Sequence, residues 1–180
     1  MSNIDWDFIL EQEGFRLKGY VPNPEGSDSG VTIASGFDLG ARSVSDLKGL
    51  SKEIIDLLTP YLGIKGAAAD EVASNLVVSD EQAKTINEFA KKKELGLLKK
   101  RWKAKTGQSF DDLPMREATV ITSVAFQYGN LATETPNFWR QVTSGDWDGA
   151  VGNLRNFGDD YGSRRNREAD YFETGAQKKK

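Results

Sequence analysis

Apolar residues at Leu47, Leu50, Ile54, Ile55 and Leu58 recur at the three- and four-residue steps of one helix face, predicting a helix over residues 45–58 that Pro60 interrupts. The same period in Ile4, Phe8 and Ile9 predicts a first helix over residues 3–12, stopped by Gly14. An Ala-rich stretch predicts a short helix over residues 65–75. Ser79 opens the next helix, with Gln82 placed to complete a capping box. Its stripe of Ile86, Phe89, Ala90, Leu97, Leu98 and Trp102 carries on past Gly96, and residues 106–109 break it. Residues 115–128 are the most apolar helix and predict the core of a second lobe. Shorter helices follow over residues 138–142, 147–154 and 164–172. Alternation replaces this period only in Phe15, Leu17, Gly19 and Val21 and again in Val31 and Ile33, where Thr32 faces the other way. An irregular antiparallel segment over residues 15–37 is expected, with a turn-rich connection from 22 to 30. Several short helices with little strand make an α+β protein.

Composition narrows the chemistry. The chain has 180 residues, 38% hydrophobic and 28% charged, enough for a sizeable core in one soluble unit. It has neither cysteine nor histidine, so thiolate chemistry is excluded and acid–base work falls to carboxylates. No metal-ligand set, phosphate loop or dinucleotide fingerprint is present, and no cofactor or metal is expected. The formal charge of −3 is unevenly spread: residues 84–105 hold nine Lys and Arg against Glu88 and Glu94. Such a face can attract a polyanion, although a solvated helix surface is the plainer account. No aromatic-interleaved basic motif argues for nucleic acid. The first residues lack the basic-then-apolar order of a signal peptide, and no apolar run approaches the ~18 residues of a membrane span. The expectation is synthesis in the cytoplasm and delivery by separate machinery.

The densest chemistry lies in residues 13–40, EGFRLKGYVPNPEGSDSGVTIASGFDLG. Glu13 ends the first helix beside apolar residues, and burial there would disfavour its charged form, as a proton donor needs. Alone, a Glu before a Gly is an ordinary helix end. The return strand brings Thr32 back beside it, and Asp38 closes a Gly-bounded loop.

EGFRLKGY and GVTIASGFDLG, followed by TSVAFQYGN at 122–130, TPNFWRQ at 135–141, GDWDGAVGNL at 145–154 and NREADYFETG at 166–175, resemble the T-even phage lysozymes and, more closely, the pesticin-type toxin domains. The resemblance implies a lysozyme-like α+β fold in a single domain. A small antiparallel β-hairpin lobe would span about 13–79, a linking helix about 80–104, and a helical lobe about 105–175 together with the helix at 3–12; residues 176–180 would be a tail. It also implies a muramidase that hydrolyses the β-1,4 bond between N-acetylmuramic acid and N-acetylglucosamine of peptidoglycan. Such a chain would serve as an endolysin or antibacterial toxin acting in the periplasm, as a monomer, with an immunity or inhibitor protein as a candidate partner.

Glycoside cleavage needs an acid for the leaving oxygen and a carboxylate that activates water or attacks carbon. The resemblance assigns the acid to Glu13. Phage lysozymes carry an Asp nine residues later, where this chain has Pro22. The pesticin-like pattern instead has a Thr with an Asp six residues on, which Thr32 and Asp38 match. Together they would hold the attacking water of an inverting reaction, which needs carboxyls roughly 6.5–9.5 Å apart. Glu25 and Asp28 are fallback carboxylates that read more simply as turn residues. The resemblance further implies Phe126, Gln127, Phe138 and Asn153 as substrate-binding and Arg164 as the cation paired with the acid, with Arg165 or Arg167 in its place if the register slips. Such a cation would lower the acid's pKa while burial raises it. Two other readings stay open: a lytic transglycosylase needing only Glu13, and a non-catalytic wall-binding or inhibitory module.

Overall fold

The computed structural model describes residues 2–22 and 29–174. Its elements form two compact units, residues 13–90 and residues 1–12 with 91–180.

The first unit is built on a three-stranded antiparallel sheet, β1 (Arg16–Tyr20), β2 (Thr32–Ala34) and β3 (Phe37–Asp38), in that spatial order. Arg16 pairs with Ala34 and Tyr20 with Thr32, with an irregularity between them; Thr32 in turn pairs with Asp38 and Ile33 with Phe37. Every residue of β2 is buried, because it is the central strand and is covered on both faces. Thr32 alternates with Val31 and Ile33 as expected, and its side of the strand is buried as well. The outer edge of β1 is paired too: Gly19 N–H donates to Leu76 O at 2.8 Å and Val78 N–H to Leu17 O at 2.8 Å. A side chain at Gly19 would run into the carbonyl of Ala73. The apolar alternation holds from Leu17 to Val21, whereas Phe15 stands outside the strand and is exposed.

Helices α2 (Lys52–Leu58) and α3 (Gly66–Ala73) close the core of this unit, where Val31, Ile33, Leu39, Leu47, Leu58, Leu76 and Ile86 are buried. The helix expected over residues 45–58 is broken. A 3₁₀ turn over Val44–Leu47 comes first, Gly49 takes φ 114°, which no helix allows, and Ser51 caps α2 by accepting from Ile54 N–H at 3.4 Å. Pro60 sits in a second 3₁₀ turn, Thr59–Tyr61. Helix α4 (Asp80–Thr106) has the expected capping box: Gln82 N–H donates to Ser79 Oγ at 3.1 Å and Ser79 N–H to Gln82 Oε1 at 2.9 Å. It continues through Gly96 and stops at Gly107, whose φ is 75°.

Helix α1 (Trp6–Glu13), in the second unit as far as Gln12, starts later than expected because Asp5 caps it, accepting from Phe8 N–H at 3.2 Å. Residues before it are used otherwise: Asn3 Nδ2 donates to the carbonyls of Phe110 and Leu113, each at 3.0 Å. Helix α5 (Met115–Tyr128) is the core predicted from its composition, buried continuously from Glu117 to Phe126. Around it lie α6 (Leu131–Glu134), α7 (Pro136–Ser144), α8 (Trp147–Arg155) and α9 (Gly162–Thr174). The short α6 was not expected. Asn130 caps it, accepting from Ala132 N–H at 3.1 Å. Trp102 locks the core with edge-on contacts to Phe110 and Trp139, centroids 5.6 and 5.9 Å away. No helix among the described residues is long and apolar enough to cross a membrane.

Candidate active site

Glu13 is the last residue of α1 and half-buried. Gly14 follows at φ 68°, the left-handed stop expected of it, and turns the chain into β1. From there the ladder carries position to position: Arg16 opposes Ala34, and two residues back along β2, Thr32 opposes Asp38. Directly opposed residues share a face of the sheet, so Thr32 and Asp38 lie side by side.

Both are fixed by backbone. Thr32 is 2% exposed, and its hydroxyl donates to Gly30 O at 3.1 Å, so the oxygen's lone pairs are what it can offer a ligand proton. Asp38 Oδ1 accepts from Gly30 N–H at 3.1 Å and Gly40 N–H at 2.7 Å. The Asp38 carbonyl accepts from Arg42 Nε at 2.8 Å, while the Arg42 guanidinium rests over the Phe37 ring at 4.2 Å. These bonds require the backbones of Gly30 and Gly40 to touch. A Cβ on Gly40 would stand 2.7 Å from Gly30 Cα. The fallback carboxylates Glu25 and Asp28 lie outside the described residues.

In the other unit, Phe138 and Asn153 share a pocket of about 180 Å³ with Glu134, Asn137 and Phe157. Asn153 Nδ2 donates to Gln141 Oε1 at 3.0 Å, and Phe138 meets Phe157 edge-on at 6.2 Å. Sequence reasoning missed Glu134, Asn137 and Phe157. Asn137 belonged to a quoted motif, but nothing marked it as lining the pocket. Phe126 is a core residue, stacked at a tilt on Trp6 at 5.8 Å with Lys91 Nζ 5.3 Å above its ring. Gln127 is half-buried beside it, and its Oε1 is a buried acceptor with no hydrogen-bond partner among the described residues.

Arg164 belongs to a buried network between α5 and α9. Its Nη2 donates to Ser123 O at 2.8 Å and Oγ at 3.2 Å, and its Nε to Glu168 Oε2 at 3.4 Å. Glu168 also binds Ser123 Oγ and Arg165 Nη1. Arg165 is fully buried, donates to Asp159 Oδ2 at 3.1 Å and lies 5.6 and 5.3 Å from the Tyr128 and Phe157 rings. Arg167 instead donates to Gln12 Oε1 at 2.7 Å. Burial pushes the Glu168 carboxyl up from its ordinary value, against the pull of both arginines and Ser123. Glu168 was not singled out in the sequence; a glutamate among three arginines on one helix is a signal that could have found it. Among the described residues no group of three or more His, Cys, Asp or Glu side chains could hold a metal ion.

The family model of Pesticin, described as a bacterial toxin homologue of phage lysozyme, C-terminal, matches residues 3–148. The chain belongs to this family. Membership of the Pesticin family and the observed elements agree on a lysozyme-like α+β fold, and at the level of the family this is a lysozyme-like muramidase or toxin domain. The Pesticin match takes in Glu13, Thr32, Asp38, Phe126, Gln127 and Phe138, whereas Asn153 and Arg164 lie beyond its end. No curated protein matches the chain.

Proposed function

We propose that this chain hydrolyses the β-1,4 bond between N-acetylmuramic acid and N-acetylglucosamine in bacterial peptidoglycan. Glu13 protonates the leaving oxygen, and Asp38 with Thr32 holds and deprotonates the attacking water, so the anomeric centre inverts. The observation that supports this most is the direct pairing of Thr32 with Asp38 in a Pesticin-family chain. A carboxylate oxygen anchored by two backbone N–H groups is a preorganised base, and the neighbouring hydroxyl oxygen can accept a second hydrogen bond from the same water. Gln127, whose acceptor has no partner among the described residues, is assigned to an amide N–H of the substrate, and Phe138 and Asn153 to its pocket. The role of Arg164 as the acid's cation partner rests on the resemblance alone.

Mass spectrometry of digested peptidoglycan tests the assignment. Reducing N-acetylmuramic acid ends are expected, with Glu13→Gln lowering the rate by roughly 10²–10⁴-fold, the usual worth of a general acid. Anhydro ends would make the chain a lytic transglycosylase. An undiminished biological effect of Glu13→Gln would make it a non-catalytic module.

A further inference from the structure

The middle and end of α4 carry more positive charge than the fold uses. Residues 91–105 hold eight Lys and Arg against Glu94 alone, a local excess of seven positive charges in a chain whose net charge is −3. Like charges three and four residues apart oppose a helix, so this density works against folding. Part of it has structural duty. Lys99 pairs with Asp111 at 2.8 Å, and Lys103 Nζ donates to Gly107 O at 3.0 Å at the helix end, where cations are favoured. Lys92, Lys93 and Lys100 are exposed and have no carboxylate partner among the described residues.

At about 100° per residue, Lys92, Lys103, Lys100 and Lys93 fall within one sector roughly 100° wide, opposite the buried Leu98 and Trp102. Gly96 lies in the middle of that sector. Glycine is the worst helix former after proline, yet a Cβ at Gly96 would meet nothing within 4 Å, so packing does not demand it. Its effect is to leave the backbone bare between four ammonium groups, where a ligand chain can approach closely.

We propose that this face of α4 docks a linear, phosphate-bearing polymer without bases. Three features choose the partner. The face offers no exposed aromatic for stacking, since Trp102 is 3% exposed, which disfavours single-stranded nucleic acid. Leu97, about 40° beyond the edge of the sector, is the one exposed large apolar residue of this stretch, too little to enter a bilayer. Seven of the eight cations are lysines, compact point charges suited to phosphate, whereas planar carboxylates are better matched by the guanidinium fork of arginine. The inference stands independently of the glycosidase assignment.

Inorganic polyphosphate is the probe, titrated into the full chain and followed by calorimetry, with polygalacturonate, a single-stranded oligonucleotide and phosphatidylglycerol vesicles as comparators. With about four ammonium groups engaged, affinity should fall roughly 30- to 100-fold between about 50 and 200 mM salt. The Lys92→Gln/Lys93→Gln/Lys100→Gln variant should bind polyphosphate at least tenfold more weakly and melt no lower than wild type. The Lys18→Gln/Lys48→Gln/Lys52→Gln variant, with the same charge change elsewhere, should bind as wild type does. Gly96→Ala should raise the melting temperature and weaken binding. Equal binding by the two triple variants overturns the proposal, and so does tighter binding of any comparator than of polyphosphate.

Discussion

Thr32 and Asp38 are ladder partners across adjacent strands, and Gly30 serves both of them, its carbonyl taking the Thr32 hydroxyl and its N–H reaching Asp38 Oδ1. Charge and structure can therefore be separated at Asp38. Asn at this position keeps an oxygen for the Gly30 and Gly40 amides but removes the negative charge. Asp38→Asn should retain the wild-type melting temperature within a few degrees and lose at least ~10²-fold in peptidoglycan turnover. Asp38→Ala orphans two N–H groups as well, costing about 1–3 kcal/mol for each that stays buried, read from urea midpoints.

Ser79 and Gln82 satisfy one another's backbone at the start of α4. Ser79→Ala should cost about 1 kcal/mol, and for a chain of this size a melting shift of roughly 2–4 °C. Differential scanning calorimetry gives the shift directly. A change below half a degree would mean that the cap contributes nothing to the helix.

Arg165 is buried and held by the equally buried Glu168 and by Asp159, whose side chain keeps 14% of its surface exposed. Arg165→Met strips a partner from two carboxylates and should destabilise by about 3–5 kcal/mol in chemical denaturation. Replacing Arg165 and Glu168 together with apolar residues should cost less than the two single changes added, because one buried charge is no longer abandoned by the other.

Tyr128 and Asp159 set an acid and an alkaline limit. Burial, and then the hydrogen bond and charge of Asp159, push the Tyr128 hydroxyl from 10.0 up to about 12. The folded chain thus keeps a proton that the unfolded chain gives up above pH 10.0, and stability is lost as pH rises from there toward about 12. Burial alone would raise Asp159, but the Tyr128 hydroxyl, the Tyr161 N–H and Arg165 outweigh it, so its carboxyl lies below 3.8. Its contribution is present above pH 3.8 and disappears as pH falls through the folded value. Melting temperature against pH should fall at both ends, and Tyr128→Phe should flatten the alkaline limb.

The apolar period in the sequence located α4, whereas composition located α3, which is Ala-rich, and α5, which is apolar and buried over nearly its whole surface. The break at Gly49 escaped the same reasoning: Leu47, Leu50 and Ile54 keep helical spacing across it, and only the φ of 114° reveals that the spacing is coincidental. The place of Glu13 at the end of α1 and of Thr32 near Asp38 was legible through helix stop and spacing, since a short antiparallel ladder converts sequence offset into position. Glu134 and Asn137 were not. Their joining with Asn153 depends on how α6, α7 and α8 pack, and no local pattern encodes that.

Helix α9 begins at Gly162, past residue 148 where the family match stops, yet it inserts Ala169, Tyr171 and Phe172 into the core around α5 and places Glu168 against Ser123. Anyone trimming the gene to the recognised boundary would discard the piece that closes the hydrophobic interior. The shortened polypeptide would present a greasy flank with polar groups stranded inside it, and should be recovered as inclusion bodies.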